Sequence, residues 1–314
     1  MVDSPRRILL RDSTLREAMD TPGVEFSIDD RLAIARMLES LGVSEAEVVA
    51  PARVETDLPI AERIAQQDLH LDISGLIYSN RPECEQQVQA AGKVLDRIDL
   101  IMPLSAQREP TDFSRKVSLL TESVTNCLDC GAKIGIGLPH SSQVEPDRVV
   151  QAAKAGSDAG ASRVIVYDTN GSTEPFAVQE LIAAVAAEVE VPVHFHGHND
   201  LGLAVANSWA AIRSGAVGVD VTLNGLGDRA GNASLEQLAV LLHLYGFDTG
   251  IAITRLPDAC HLVERLSGVA LSKQAPVIGE YVFDHQSPTH LGIPAEFEAF
   301  NPALVGADRQ TGSS

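Results

Sequence analysis

The sequence predicts an α/β fold, a (β/α)8 TIM barrel with a small C-terminal extension subdomain. Eight short apolar runs alternate with eight amphipathic stretches between residues 8 and 245, and barrels of this kind have a typical length of about 250 residues. Glycine stands where many of the predicted helices should end, at positions 42, 92, 131, 160 and 215. An open doubly wound sheet is the alternative, but it would carry an early GxGxxG turn, which this sequence lacks.

The predicted strands are short and apolar, as expected for a parallel sheet that is covered on both faces. They span residues 8–10, 46–49, 71–77, 98–102, 133–138, 163–167, 191–196 and 217–223. A predicted helix follows each strand, over residues 28–41, 57–66, 82–91, 114–130, 146–159, 174–189, 203–214 and 234–245. Ser27 is a suitable N-cap for the first of these helices, and Gly42 a suitable residue to end it.

The alternation stops after Phe247, which divides the chain into a catalytic barrel over 1–247 and an extension subdomain over 248–314. One helix is predicted in the extension, over residues 260–266, and a proline-punctuated stretch follows it. Apolar residues continue through Phe297, Phe300 and Leu304, which favours a packed subdomain over a linker. The last nine residues are predicted to be a frayed tail.

Composition excludes several classes of partner. The chain has 45% hydrophobic and 21% charged residues, as globular proteins do, and its net charge of −19 argues against nucleic acid or an anionic membrane as a partner. No apolar run approaches the ~20 residues of a membrane span, and no signal-peptide core follows the N-terminus, so a cytoplasmic protein is predicted. Cys127 and Cys130 form a CxxC, for which helix packing is the preferred interpretation and a zinc or redox role the alternative.

Three histidines mark the end of the seventh strand. Side chains alternate along a strand, so His194 and His196 lie on the same face, and His198 follows two residues later. A single strand histidine is most often a core residue, but three within five residues indicate a metal site. Asn232 follows the eighth strand and completes a set of polar residues at one end of the predicted barrel.

Other polar residues stand at the ends of other strands. The first strand leads to Arg16, a permanent cation suited to an oxyanion, and to Glu17, a carboxylate that can bind a metal. Glu47 lies inside the apolar second strand and needs a nearby cation, either in an active site or in a structural salt bridge. Thr169, after the sixth strand, could hold a substrate carboxylate. Together Glu17, His196, His198 and Asn232 suit Zn²⁺, Mn²⁺, Co²⁺, Fe²⁺ or Mg²⁺ and indicate a catalytic metal site.

Three of these segments form family-like motifs. Residues 12–17 read DSTLRE, residues 196–202 read HGHNDLG, and residues 224–232 read NGLGDRAGN. They resemble the motifs D-T-T-L-R-D/E, H-x-H-N/D-D-L-G and N-G-x-G-E/D-R-A-G-N of the pyruvate-carboxyltransferase-like metal-dependent barrels, the DRE-TIM metallolyase superfamily. That group includes isopropylmalate, homocitrate and citramalate synthases and, more distantly, hydroxymethylglutaryl-CoA lyase.

The resemblance extends beyond the barrel. Residues 277–290 are similar to the synthases' segment that ends H-E-S-G-I-H, which the lyase branch lacks, and residues 300–306 are similar to the stretch after it. The match therefore covers nearly the whole chain and favours the condensing synthases. A short form is expected, because the chain ends before the synthases' C-terminal leucine-sensing domain.

The resemblance implies a metal-dependent acyltransferase that condenses an acyl-CoA, most simply acetyl-CoA, with a 2-oxo acid. Glu17, His196 and His198 would bind Mg²⁺, Mn²⁺, Zn²⁺ or Co²⁺, with Asn232 close by, and His194 would lie one layer deeper in the barrel. The remaining implied roles belong to the substrates. Arg16 would stabilise the alkoxide, Glu47 would hold Arg16, Thr169 would bind the substrate carboxylate, and His285 and Asn224 would lie near CoA. His290 would act in proton transfer in the partner's site of a homodimer.

Three positions depart from the family pattern. Asp20 stands in place of a glutamine, His140 stands where an acidic pair is usual, and Pro288-Thr289 replaces Gly-Ile before His290. Either His140 substitutes as an acid or base, or the substrate differs. The residues expected to line the oxo-acid pocket are Asp20, Glu47, Tyr78, Gln107, Arg108 and His140. Two alternatives remain: carbon–carbon bond cleavage like that of the lyase or an aldolase, and an inactive protein that binds an oxo acid or CoA.

Overall fold

Eight parallel strands form a closed barrel in which each strand pairs with the next along the chain and the last pairs with the first. The computed structural model describes residues 5–104 and 113–309. The strands are β1 (Leu9–Asp12), β2 (Glu45–Val49), β3 (Asp72–Tyr78), β4 (Arg97–Ile101), β5 (Lys133–Leu138), β6 (Val164–Asp168), β7 (Val193–Gly197) and β8 (Gly218–Val221). The predicted (β/α)8 barrel is confirmed.

Helices surround the barrel, and each of those in the described ranges except α11 has buried residues. They are α1 (Thr14–Glu17), α2 (Ile28–Leu41), α3 (Val54–Ala65), α4 (Cys84–Ala91), α5 (Phe113–Cys127), α6 (Pro146–Asp158), α7 (Pro175–Glu188), α8 (Ala204–Arg213), α9 (Leu235–Leu244), α10 (Leu256–Ser267) and α11 (Pro288–Gly292). The short α1 was not predicted from the sequence. The helix predicted at 260 begins earlier, at Leu256, with Pro257 in its first turn.

Helix ends follow local chemistry at α2 and tertiary packing at α4. The Ser27 side chain accepts from the amide of Asp30, whose carboxylate accepts from Ser27, and Gly42 ends α2 in the left-handed conformation at φ 85°. Gly92 differs from the expectation, because its φ of −64° is helical. A Cβ there would lie 2.2 Å from the Cys130 carbonyl oxygen, so close backbone packing is the reason for glycine.

The barrel interior contains a network of buried charged side chains from the strands and their amino ends. Arg11 donates to Asp220 and, at 2.7 Å, to Asp99. Arg163 donates to Asp99 at 2.8 and 2.7 Å and to Glu45 at 2.8 and 2.7 Å. We call these five residues the charge layer. All are 2% exposed or less, so their mutual pairing is what makes their burial tolerable.

The extension packs on the outside of the barrel. Helix α10 contacts α2 of the barrel, and within the extension the 3-10 turn Pro302–Val305 contacts the turn Ile253–Arg255. Phe283 and Phe300 meet edge to face at 5.5 Å. The four cysteines are buried and unbridged. Cys127 is the last residue of α5, and Cys130 follows the helix that was predicted to extend to it. Over the ranges described, no helix combines the length and the apolar character needed to cross a membrane.

Candidate active site and metal centre

Helix α1 positions Arg16 and Glu17 directly beyond β1. It begins there because the Asp12 carboxylate accepts from the backbone N–H of Thr14 at 2.8 Å and from the Thr14 hydroxyl at 3.0 Å. Thr14 Oγ1 in turn accepts from the amide of Leu223 at 2.9 Å, which joins the loops after β1 and β8. Burial raises the pKa of Asp12 to about 7 despite the bonds from Thr14.

Glu17, His196 and His198 converge at the carboxyl ends of the strands. Their ligand atoms all lie within 4.8 Å of one another, and the three side chains are buried. The Nε2 atoms of His196 and His198 are 3.4 Å apart, and Glu17 Oε1 is 3.5 Å from His196 Nε2. A single ion about 2.1 Å from each nitrogen can span such a gap. This group, which we call the metal cluster, therefore fits a divalent cation.

Asn232 is the fourth member that the sequence predicted, and it lies beside the other three. Its backbone forms an antiparallel bridge with His198, and its side chain is close enough to Glu17 to influence that carboxylate. Asn232 Oδ1 is buried and has no hydrogen-bond partner in the described part of the chain. A Cβ on Gly227 would lie 2.1 Å from Asn232 Nδ2, which explains the glycine there. An unpaired amide oxygen on a residue beside the cluster is a suitable further ligand.

Asp220 fixes the tautomer of His196. Its Oδ2 is 2.9 Å from His196 Nδ1, so the ring carries its proton on Nδ1 and keeps the Nε2 lone pair for a metal. Desolvation, with His196 nearby, lowers the pKa of His198 to about 4, which keeps that ring neutral. Burial works against ionisation of Glu17, but Arg16 and the histidines lower its pKa to about 2. Glu17 and His198 are thus held in the protonation states that bind a metal.

His194 lies deeper, as the family pattern implied. Its ring packs against Gly218, where a Cβ would approach within 2.5 Å of the imidazole. Burial, together with the cations Arg163 and Arg11, lowers the pKa of His194 to about 3. The ring is therefore a neutral member of the barrel interior, next to the charge layer.

Arg16 is held from two sides. Its Nε donates to Glu47 Oε2 and its Nη1 donates to Glu17 Oε1 at 2.7 Å. Glu47 also accepts from Ser13 at 3.0 Å and lies 3.3 Å from Arg11, so the cation expected beside this strand glutamate is present twice. Arg16 Nη2 is buried without a hydrogen-bond partner among the described residues. The Arg16 guanidinium is therefore held in place, and its Nη2 can donate a hydrogen bond to a ligand.

Thr169, which follows β6, contacts His140, which follows β5. The Thr169 hydroxyl accepts from the backbone N–H of His140 at 2.8 Å, which leaves the hydroxyl proton able to donate elsewhere. His140 adopts φ 65°, in the left-handed region. Arg229 donates to the Thr169 carbonyl at 2.8 Å and to Asp200 at 2.8 and 2.9 Å, which ties together the loops after β6, β7 and β8.

The predicted pocket residues occupy different places. Asp20 is exposed and accepts from Arg53 Nη1 at 2.7 Å, and Arg53 also donates to the Arg16 carbonyl at 3.2 Å. The charge that replaces the family's glutamine is thus countered by a cation. Tyr78 ends β3, with Arg81 above its ring at 5.5 Å. Gln107 and Arg108 lie outside the described residues.

The residues predicted for CoA binding and proton transfer contact residues of the extension, including α10. His285 and His290 are 5.6 Å apart between ring centres, and His290 stacks on Phe297 at 3.8 Å. His285 Nε2 is 3.5 Å from Glu298. Asn224, at φ 61°, donates to the Cys260 carbonyl at 2.9 Å. That contact joins the loop after β8 to α10.

Four buried residues near the site were not singled out from the sequence: Arg11, Arg163, Asp220 and Tyr167. Arg11 and Asp220 are charged residues inside apolar strands, the same signal that drew attention to Glu47. Tyr167 was noted only as part of a polar strand end. Its ring lies 4.7 Å from the His196 ring, with the planes tilted by 31°. The sequence showed polar residues within apolar strands, but it did not show which of them would be in contact.

Known proteins share both the sequence pattern and the fold. The HMGL-like family model matches residues 7–263. The chain is 35% identical over 304 residues to a probable 2-isopropylmalate synthase of Methanopyrus kandleri, which covers 95% of this chain and 60% of that protein. It is 32% identical over 313 residues to homocitrate synthase 1 of Nostoc, covering 97% of this chain and 82% of the relative.

A third relative is a putative (R)-citramalate synthase of Methanopyrus kandleri, 34% identical over 321 residues, which covers 98% of this chain and 62% of that protein. The chain therefore spans about three fifths of the length of the two Methanopyrus relatives. An HMG-CoA lyase from Acinetobacter baumannii, solved with coenzyme A and 3-methylmalate, superimposes with a TM-score of 0.76. It shares 19% identity and covers 92% of this chain and 100% of the lyase, which shows the fold. With a family model that matches most of its length, the chain belongs to the HMGL-like family.

Proposed function

We propose that this protein is an acyltransferase that condenses an acyl-CoA, most simply acetyl-CoA, with a 2-oxo acid and releases CoA. The observation that carries the proposal is the metal cluster with the open donor Arg16 Nη2 beside it. The relatives named as 2-isopropylmalate, homocitrate and citramalate synthases support the same reaction class. The identity of the oxo acid depends on pocket shape.

Glu17, His196 and His198 would hold a divalent cation, with Asn232 as a further ligand. When bound, the cation supplies Lewis-acid polarisation of the 2-oxo group. Two imidazoles, a carboxylate and an amide oxygen accept Zn²⁺, Mn²⁺ and Co²⁺ and tolerate Mg²⁺. The Asp220 carboxylate keeps His196 oriented for this role, because it fixes the Nδ1 proton.

Arg16 stabilises the charge that develops during the reaction. As the new carbon–carbon bond forms, the oxo oxygen gains negative charge, and Arg16 Nη2 donates to it. Glu47 and Glu17 fix the guanidinium plane beforehand, so little reorganisation is needed. One preorganised donor of this kind contributes about 10²–10³ in rate.

The rest of the reaction needs a carboxylate donor and a proton acceptor. The Thr169 hydroxyl donates to the carboxylate of the oxo acid. A base removes a proton from the acyl methyl group, and His290 or His140 has that role. The resulting carbanion equivalent attacks the oxo carbon, the alkoxide takes up a proton, and water cleaves the thioester to a carboxylate and the CoA thiol. His285 and Asn224 are proposed to lie near CoA.

A homodimer would bring His290 to a partner's site. The extension exposes large apolar side chains, with Tyr281 at 48%, Leu291 at 49%, Ile293 at 45% and Phe297 at 46% exposure. Apolar residues gathered in one segment favour contact with another protein surface. The division at residue 247 and the cytoplasmic location remain predictions.

The direct test incubates the purified protein and Mn²⁺ or Mg²⁺ with acetyl-CoA and a panel of 2-oxo acids, and measures free thiol. We expect CoA release only when metal and one oxo acid are both present. Cleavage of a hydroxy acid without free CoA would support lyase-type chemistry instead. Binding of an oxo acid without turnover would indicate a binding protein.

A subunit-mixing experiment tests the shared site. Glu17→Ala and His290→Ala are each expected to be inactive, and mixed dimers should regain activity when subunits exchange, because one of their two sites would be intact. Exchange is followed with differently tagged subunits. Proven exchange without any recovered activity would contradict a site shared between subunits.

A further inference from the structure

Tyr167 occupies the barrel interior next to a metal ligand. It is the last inward-facing residue of β6 and pairs in register with His196 of β7. The two rings lie 4.7 Å apart, and Tyr167 is 6% exposed. The phenol is therefore part of the wall of the metal cluster.

The ring position is fixed by its surroundings. A Cβ on Gly137 of β5 would lie 3.0 Å from Tyr167 Cε2 and 3.3 Å from its hydroxyl oxygen. Glycine at this position leaves the space that the phenol fills. The ring is thus confined between β5 and His196, and its hydroxyl has a defined place in the interior.

The hydroxyl has no hydrogen-bond partner over the described ranges, although it is buried. A buried hydroxyl without a partner destabilises the folded state, and phenylalanine would fill the same space without that penalty. A phenol keeps its proton at neutral pH, so the group can donate a hydrogen bond.

A second open donor lies close to it. Arg16 Nη2 is also buried without a partner in the described part of the chain, and Arg16 is near enough to Tyr167 to interact with it electrostatically. Both donors border the metal cluster, one through Glu17 and the other through His196. Two unused donors beside a group of metal ligands are the expected arrangement for a ligand oxygen that carries negative charge.

We propose that the Tyr167 hydroxyl is a second oxyanion donor, which acts with Arg16 Nη2 on the substrate oxygen that becomes an alkoxide. The proposal rests on the proposed condensation reaction and adds a catalytic residue to it. Tyr167 donates its hydrogen bond without losing its proton, so no further acid or base is required. The bond forms as charge develops on the oxygen, and its main effect is on kcat.

Tyr167→Phe tests the hydroxyl alone, because the ring contacts with His196 and Gly137 remain. We expect kcat to fall about 10²–10³-fold, with little change in KM for the oxo acid. Metal affinity should be unchanged, and the unfolding temperature of the metal-free protein should stay the same or rise. A hydroxyl with a structural role would lower that temperature. Tyr245→Phe is the matched control, because Tyr245 is 65% exposed and packs on Trp209.

Oxalate binding to the Mn²⁺-loaded protein gives a readout that does not depend on turnover. Oxalate is an anion whose vicinal oxygens resemble the carboxylate and alkoxide oxygens of the reacting oxo acid, and titration calorimetry should show about 10-fold weaker binding to Tyr167→Phe than to wild type. Equal affinities, or wild type that does not bind oxalate, would overturn the role of Tyr167. If Tyr167→Phe binds oxalate about 10-fold more weakly but the wild-type protein never releases CoA, the proposed condensation is wrong and the role of Tyr167 as an oxyanion donor stands.

Discussion

The charge layer and the metal cluster are both buried groups of ionisable side chains inside the same barrel, yet their polar atoms are used differently. In the charge layer every side-chain nitrogen of Arg11 and Arg163 donates to a carboxylate. Around the metal cluster, unpaired polar atoms remain on Arg16, Tyr167, His198 and Asn232 in the described part of the chain. Burial of charge alone therefore does not mark a functional site.

Two residues connect the regions. Asp220 accepts from Arg11 of the charge layer and from His196 of the metal cluster. Glu47 likewise lies beside Arg11 and accepts from Arg16. The satisfied layer thus provides a rigid base that orients the side chains of the metal cluster and Arg16. Substitutions in the two regions should have separable effects, except at these connections.

The largest effect should come from removal of a metal ligand. Glu17→Gln or His196→Ala should abolish stoichiometric metal binding and lower CoA release by at least about 10³-fold, because the cluster loses a donor that other residues cannot replace. Metal content of the purified protein and circular dichroism provide the measurements. Glu55→Gln, at an exposed position of α3, is the control. Undiminished metal content would contradict the ligand assignment.

Removal of a cation from the charge layer should affect stability instead. Arg163→Met leaves Glu45 and Asp99 buried without their main partner, and the free energy of unfolding should fall by about 3–5 kcal/mol. Urea unfolding measures the loss. Addition of Glu45→Gln and Asp99→Asn should recover part of it, because the stranded charges are removed. A single variant as stable as wild type would remove the distinction between the two regions.

Acid should weaken the charge layer in a defined pH window. Burial works to raise the pKa of Glu45, but Arg163 and Arg11 lower it from 4.5 to about 2. A carboxylate with a lowered pKa contributes stability that is complete above its unfolded-state value and is lost as the pH falls through its folded-state value. The free energy of unfolding should thus fall from about pH 4.5 to pH 2, by about 3 kcal/mol from this group. Glu45→Gln should remove that component, and an unchanged pH slope would contradict it.

Asp220→Asn should produce a smaller effect in both regions at once. Loss of the charge opposite His196 Nδ1 should weaken metal binding by about 10–100-fold. Arg11 loses a charged partner in the same variant, so stability should also decrease. Calorimetric titration with Zn²⁺ and urea unfolding measure the two effects. A change in only one of them would show that the regions are not connected through Asp220.

Much of this organisation could be predicted from the sequence. Apolar periodicity gave the strand and helix order, since side chains alternate along strands and repeat every 3.6 residues in helices. Histidine clustering pointed to His196 and His198, and a carboxylate in an apolar strand required a cation beside Glu47. Helix α1 was missed because four residues carry no periodic pattern. Gly92 was assigned to a helix end for the wrong reason, because a contact with Cys130 is invisible in local sequence.

The sequence by itself determined the fold class, the family and the kinds of ligand atom, because those depend on local periodicity and on side-chain chemistry. The tertiary structure alone decided which polar atoms are paired and which stay open. Arg11 and Asp220 are separated by 209 residues along the chain, and the phenol of Tyr167 fills space that Gly137 leaves on another strand. Such pairings are set by barrel closure, which brings distant residues within hydrogen-bond distance. The open atoms that result are where the chemistry is expected.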